Sequence, residues 1–243
     1  TTPILSDRPY ACLAYTASTQ QTVIPTDQTA FLNTLSLGLL GTGLCKHMQN
    51  LVHDLANGIA ANGWNNQISH GIEPTVLWRL GRQRLLHSET SRTRHEVSWN
   101  ADAQFGWATD AGLGISWRWG LIRSPWWSFT PQQSEYAPIA DAPMSHYRNQ
   151  AAFQKGEELY IWAGGMMRYR LYNSLLQGQF RDSAVEISNS KINPLLAEIW
   201  VGFTQRVGEG LEINLSIRAR SREFDAADSK SVLWGSVALR QYY

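Results

Sequence analysis

The chain reads as an all-β protein, an antiparallel transmembrane β-barrel of the outer-membrane type, and three observations carry that expectation. Apolar and polar side chains alternate with a two-residue period in segments of about ten residues, the length a tilted strand needs to cross a bilayer. Aromatic residues are abundant, with 11 Trp among 243 residues, yet no run of about 18 apolar residues exists to cross as a helix. The final alternating segment also closes on Tyr242 and Tyr243, and a terminal aromatic is what outer-membrane barrels show.

The last segments show the alternation best. In residues 211–222, Leu211, Ile213, Leu215, Ile217 and Ala219 alternate with Glu212, Asn214, Ser216, Arg218 and Arg220. In 195–207, Ala197, Ile199, Val201 and Phe203 oppose Glu198, Gly202, Thr204 and Arg206; in 159–171, Ile161, Ala163, Met167 and Tyr169 oppose Trp162, Gly164, Arg168 and Arg170. Val97, Trp99, Ala101, Ala103 and Phe105 repeat the pattern, as do Leu113, Ile115, Trp117 and Trp119. Residues 71–84, 29–40 and 9–18 fit less cleanly, and 231–242 is the last segment. Nine strands result, in a single domain over 1–243, with glycines on the polar face suiting a crowded lumen. Trp78, Trp107, Trp117, Trp119, Trp162 and Trp200 near strand ends suit an interfacial aromatic belt. A soluble sandwich or lipocalin-like barrel also alternates; the polar content of the second face weighs against it.

Charge is balanced, 21 basic against 20 acidic residues, so there is no basic surplus to advertise nucleic acid, and no such partner is expected. Residues 1–10 carry no charged segment followed by an apolar core, so a secretory signal is expected to have been removed or to lie outside this chain. Counting backwards from a last strand that descends to the periplasm puts the connection carrying His53 outside and makes the first strand descend from outside. Single-chain bacterial barrels have an even strand number and begin in the periplasm. The count therefore expects an odd number of strands upstream of Thr1.

Residues 44–55 read as a short amphipathic helix. Leu44, Met48, Leu51 and Leu55 recur at helical spacing, while Gln49, Asn50, His53, Asp54 and Asn57 fill the other face. One turn separates Gln49 from His53. An imidazole titrates near the pH at which a general base takes a proton from water, which makes His53 the candidate catalytic residue; a solvated or packed helical histidine is the plainer alternative.

The run Gln49-Asn50, His53, then Gly63-Trp64 and Gln67-Ile68 resembles the helix of the lipid A 3-O-deacylase (LpxR-type) family of outer-membrane barrels. Asp7-Arg8-Pro9-Tyr10-Ala11 is similar to a stretch common in that family, and residues 159–243 are similar to its last third. Members have twelve strands, so nine would match the last nine, in agreement with the parity count. The resemblance implies a calcium-dependent esterase of the outer membrane that removes the 3'-linked acyloxyacyl chain of lipopolysaccharide. In it His53 is the general base, Gln49 and Asn50 are its polar neighbours, and Ca²⁺ is the cofactor. Three features depart from the pattern: an Asn-Asp pair on the first strand, a Thr or Ser on the second, and an acidic residue six positions after the histidine, where Ile59 stands. The metal ligands are therefore unknown, and a catalytically inactive family barrel with a structural or lipopolysaccharide-binding role is the alternative.

Arg168, Arg170, Arg218 and Arg220 sit towards the outer ends of two rising strands, where guanidinium forks would meet lipid A phosphates; pairing across the lumen with Glu198 or Asp182 is the competing role. Cys12 and Cys45 both fall near the outer rim and are expected to bridge in an oxidising compartment. The long segments 122–154 and 172–194 carry no motif. No calcium-loop pattern and no serine-hydrolase elbow occurs anywhere in the chain.

Overall fold

The computed structural model describes residues 7–58, 63–89, 93–131, 156–207, 211–227 and 229–241. Nine strands run in chain order: β1 (Leu13–Ile24), β2 (Thr29–Leu40), β3 (Glu73–Ser88), β4 (Arg94–Gly106), β5 (Ala108–Leu121), β6 (Glu158–Asn173), β7 (Leu195–Val207), β8 (Leu211–Arg220) and β9 (Val232–Gln241). Helix α1 (Leu44–Leu55) follows β2, and the short α2 (Ser174–Gln177) follows β6. Each strand pairs antiparallel with its sequence neighbours in one sheet ordered β1 to β9. Among the described residues no pairing joins β1 to β9.

Alternation located the strands because one face is wet and the other greasy. On β8, Glu212, Asn214, Ser216, Arg218 and Arg220 are buried, while Leu211, Leu215 and Ile217 on the reverse face are exposed. β6 repeats this, with Arg168 and Arg170 inside and Leu159, Ile161, Met167, Tyr169 and Leu171 outside. An apolar face turned to solvent along a whole sheet is the reverse of a soluble sandwich and matches a bilayer-facing barrel wall.

Two expectations need correction. The first strand is Leu13–Ile24 rather than 9–18. Residues 9–12 instead dock at the rim, where the Ile68 N–H donates to Tyr10 O and the Gly41 N–H to Cys12 O. The strand extends to Ile24 because its register with β2, from Leu13↔Leu40 to Ile24↔Thr29, ends on the turn Pro25–Asp27. Its alternation was weak because Thr and Gln occupy both faces. The second correction concerns the aromatic belt: Trp162 and Trp200 point inward and pack with Tyr160, Met166 and Ile122 in a luminal core, while Trp107 is buried in the β4–β5 turn. Trp78, Trp117 and Trp119 do face outward.

The segment after β5 shows how strongly the sheet curls. Gln21 on β1 donates to Trp127 O at 2.8 Å, Gln83 on β3 to Phe129 O at 2.9 Å, and Arg218 on β8 to Pro131 O at 2.6 Å. Strands far apart in the sheet thus converge on residues 127–131, which fill the lumen. Residues 132–154 of this connection lie outside the described residues, as do Tyr242 and Tyr243. Gln241 pairs with Leu211, at the end of the barrel opposite α1, which follows Leu40 on the same end as Arg220 and Val232.

Luminal glycines make room for indoles. A Cβ on Gly202 would fall 2.2 Å from the Trp162 ring, and one on Gly164 would fall 2.6 Å from Trp200 Nε1. Gly202→Leu is therefore expected to destabilise the barrel by about 1–3 kcal/mol through overpacking. The check is the midpoint of urea unfolding in micelles, read from the heat-modifiable band on a gel; an unchanged midpoint would count against this packing.

Candidate functional site

Helix α1 is held to the rim through one stripe of its surface. Cys45, Gln49 and His53 recur every four residues and so lie on one face. Cys45 forms a disulfide with Cys12, with Cα atoms 5.6 Å apart, as the sequence led one to expect. Gln49 Oε1 accepts from Trp64 Nε1 at 2.8 Å, and the buried Trp64 ring packs on Tyr10 with centroids 4.8 Å apart. His53 continues the stripe, half-buried, and its carbonyl accepts from the N–H groups of Ala56 and Gly58 at the helix end.

The ground beneath the helix is built from residues that the motif contains but whose roles spacing did not reveal. Gly41 has φ 78°, and a Cβ there would lie 1.8 Å from Ser69 O, so the turn out of β2 requires glycine. Gln67 Nε2 bonds the carbonyls of Gly41 (3.1 Å) and Thr42 (3.3 Å), and Ile68 packs fully buried against Leu40 and Leu175. Gly63 lies where a Cβ would enter the Tyr10 ring. Gln49, Trp64 and Gln67 thus position the helix, leaving Asn50 and His53 one turn apart beside them.

The apolar stripe of α1 is turned away from the barrel. Leu44, Met48, Leu51, Val52 and Leu55 are all more than half exposed, Leu55 at 78 %. Sequence periodicity found the stripe but gave no sign of its direction; the four-residue spacing of Cys45, Gln49 and His53 was the available signal.

Reduction of the disulfide should loosen α1 while leaving the sheet intact. The bridge closes a segment of 33 residues in sequence separation, for which chain entropy predicts about 3–4 kcal/mol. Cys45→Ser is expected to expose the 41–58 connection to limited proteolysis, mapped by mass spectrometry, with strand amides still protected from exchange. Equal protease resistance with and without the bridge would contradict that role.

The four arginines expected at lipid phosphates sit in a buried luminal network. Arg168 pairs with Asp110 and with Asp102 (3.1 Å), which also takes Arg79 Nε at 3.1 Å. Arg170 binds Asp110 at 2.9 Å and Glu223 at 3.0 Å. Arg218 and Arg220 share Glu198 at 3.1 and 2.9 Å, and Arg220 and Arg8 both reach Glu223. Glu198 was the partner foreseen; Asp102, Asp110 and Glu223 were not. Strand parity was the missed signal for the two aspartates, since Asp110 lies opposite Arg170 across β5–β6.

Calcium needs oxygen ligands. Around α1, Asp54 is the helix's single carboxylate and is exposed. Among the described residues, the one group of three His, Cys, Asp or Glu ligands within reach of one another lies at the opposite end of the barrel. On α1 itself Asp54 is thus the one anionic oxygen ligand on offer to such an ion, beside the neutral side-chain oxygens of Gln49 and Asn50.

No curated protein sequence matches the chain. A solved structure, LpxR from Salmonella typhimurium, superposes with a TM-score of 0.77 at 17 % sequence identity, over 99 % of this chain and 76 % of that one, which is a likeness of fold. The family model described as outer membrane protein LpxR matches residues 1–243. Taken with the outward apolar wall, this shows that the chain belongs to the LpxR family and is a β-barrel of the bacterial outer membrane.

Proposed function

We propose that this barrel is a lipid A deacylase, hydrolysing the 3'-linked acyloxyacyl ester of lipopolysaccharide with His53 as general base. The observation that carries the reading is the orientation of α1: its polar stripe, ending in His53, is fastened to the rim while its apolar stripe points outward. A helix with one wet and one greasy face at the end of a membrane barrel lies in the interface, where the fatty chains and sugar backbone of lipid A meet. Leu44, Met48, Leu51 and Leu55 then contact acyl chains, and the ester carbonyl comes to the polar stripe.

In this mechanism the His53 imidazole accepts a proton from water as its oxygen attacks the ester carbonyl, and the proton passes to the departing sugar oxygen. Gln49 holds the helix in place through Trp64, and Asn50 lies on the same side to orient substrate or water. The developing oxyanion needs positive charge or donors. Calcium, when bound, would supply that charge through oxygen ligands, of which α1 offers Gln49, Asn50 and Asp54. Arg168, Arg170, Arg218 and Arg220 enter as a rigid luminal support rather than as phosphate ligands, their guanidiniums already engaged by Asp102, Asp110, Glu198 and Glu223.

A second reading, an inactive barrel that binds lipopolysaccharide, draws support from α1 carrying a single carboxylate, Asp54. The two separate on expression of the natural protein in an outer membrane containing fully acylated lipid A. Lipid A lighter by the acyloxyacyl group, seen by mass spectrometry, supports the enzyme; unchanged lipid A at equal levels of folded barrel supports the inactive one.

A further inference from the structure

A histidine-rich cluster stands on the β3–β4 hairpin, at the opposite end of the barrel from α1. His87, Glu89 and His95 bring their ligand atoms within 4.8 Å of one another. The two imidazoles stack with centroids 4.9 Å apart, and His95 Nδ1 lies 3.3 Å from Glu89 Oε2.

A bulge builds this group. Along β3, Gln83 and Leu85 face the lumen, and unbroken alternation would send His87 inward as well. The register instead slips between Leu85 and His87, from Leu85↔Ser98 to His87↔Val97, and Leu86 and His87 are both exposed. One extra residue reverses the facing of the residues after it. Ser88 then points inward, its Oγ 3.4 Å from Glu96 Oε1, while His87 and Glu89 reach the outer surface. His95 occupies that surface on β4, paired in register with the outward Trp119. The bulge thus gathers two imidazoles and a carboxylate beside an aromatic residue at the end of the barrel wall.

We infer that His87, Glu89 and His95 form a binding site for a divalent transition-metal ion such as Zn²⁺. Two imidazoles and one carboxylate are a donor set that borderline-soft cations prefer, and three protein ligands leave a fourth position open. Tetrahedral Zn–N bonds of about 2.0–2.1 Å put donor atoms about 3.3 Å apart, a closure that side-chain rotation on an exposed hairpin can supply. The anionic carboxylate offsets part of the ion's charge. Hard Ca²⁺, which prefers six or more oxygen ligands, is a poor fit, so this site is separate from any calcium requirement of the ester chemistry.

The test is calorimetric titration of Zn²⁺ into tag-free, chelator-stripped natural protein in micelles, beside H87A, H95A, E89Q and H87A/H95A, each shown to be folded by its heat-modifiable band. The expected result is one Zn²⁺ per barrel in the wild type. Because even outer-shell partners are worth about 10–100-fold in metal affinity, each single histidine variant should bind at least about 10-fold more weakly. The double variant should lose the site, and excess Ca²⁺ should leave Zn²⁺ binding in the wild type unchanged. A folded wild type that takes up no Zn²⁺ in excess, or a double variant that binds as the wild type does, would overturn the assignment.

Discussion

His53→Ala is expected to abolish ester cleavage, lowering the rate by about 10² to 10⁴-fold, the usual contribution of a positioned general base. No neighbour should rescue it. His47 lies six residues earlier, turned about 120° around the helix from His53, and is exposed. Gln49→Ala should be milder, because Gln49 acts through the Trp64 bond that sets the helix rather than on the ester itself. The two variants differ in a way a purely structural role would not produce: Trp64→Phe should mimic Gln49→Ala, since it breaks the same hydrogen bond, whereas neither should mimic His53→Ala. The assay is lipid A mass spectrometry at matched levels of folded barrel. Wild-type cleavage by His53→Ala would remove the histidine from the mechanism.

Asp110→Asn should be the most destabilising single change in the lumen, by about 3–5 kcal/mol, the cost of breaking a buried ion pair by removing one partner. The Asp110 side chain has no exposure and holds both Arg168 and Arg170, with Gln104 Nε2 donating to it at 2.9 Å. Neutralising it leaves two buried guanidiniums to share Asp102 and Glu223, which already serve Arg79, Arg220 and Arg8. The double variant Asp110→Leu/Arg170→Met should recover part of the loss, because an apolar pair avoids the desolvation that the charged pair must offset. Urea unfolding in micelles, followed by intrinsic fluorescence, measures both. A stability unchanged by Asp110→Asn would show that the network contributes little.

A two-residue period reports which residues share a face and little else, and that limit divides the legible from the illegible here. It located β7 to the residue, where Ile199 and Val201 face out between the inward Glu198, Gly202, Thr204 and Arg206, and it reached the bounds of β2 although Leu32 and Leu40 turn inward there and Asn33 outward. It misplaced β1, whose threonines and glutamines satisfy either face. Periodicity sorts residues into two sets without naming the partner across the lumen, so the arginines were visible while the Asp102, Asp110 and Glu223 network was not. It also missed the bulge before His87, since one inserted residue leaves no mark in composition. In the site, the QN-x-x-H helix and Trp64 were readable as a motif. Their contact through Gln49 and the outward turn of the apolar stripe depend on the Cys12–Cys45 tether and on Tyr10, which approaches from a distant part of the chain.

The central claim, that the polar stripe of α1 is the base-bearing wall of an ester-cleaving site, is tested most directly with purified natural protein and fully acylated lipid A in detergent, with and without a calcium chelator. Products would be analysed by mass spectrometry. The expected result is release of the intact acyloxyacyl acid from the 3' position, with the remaining ester and amide chains untouched. Lipid A left whole by folded protein in the presence of calcium, or loss of a different chain, would contradict it.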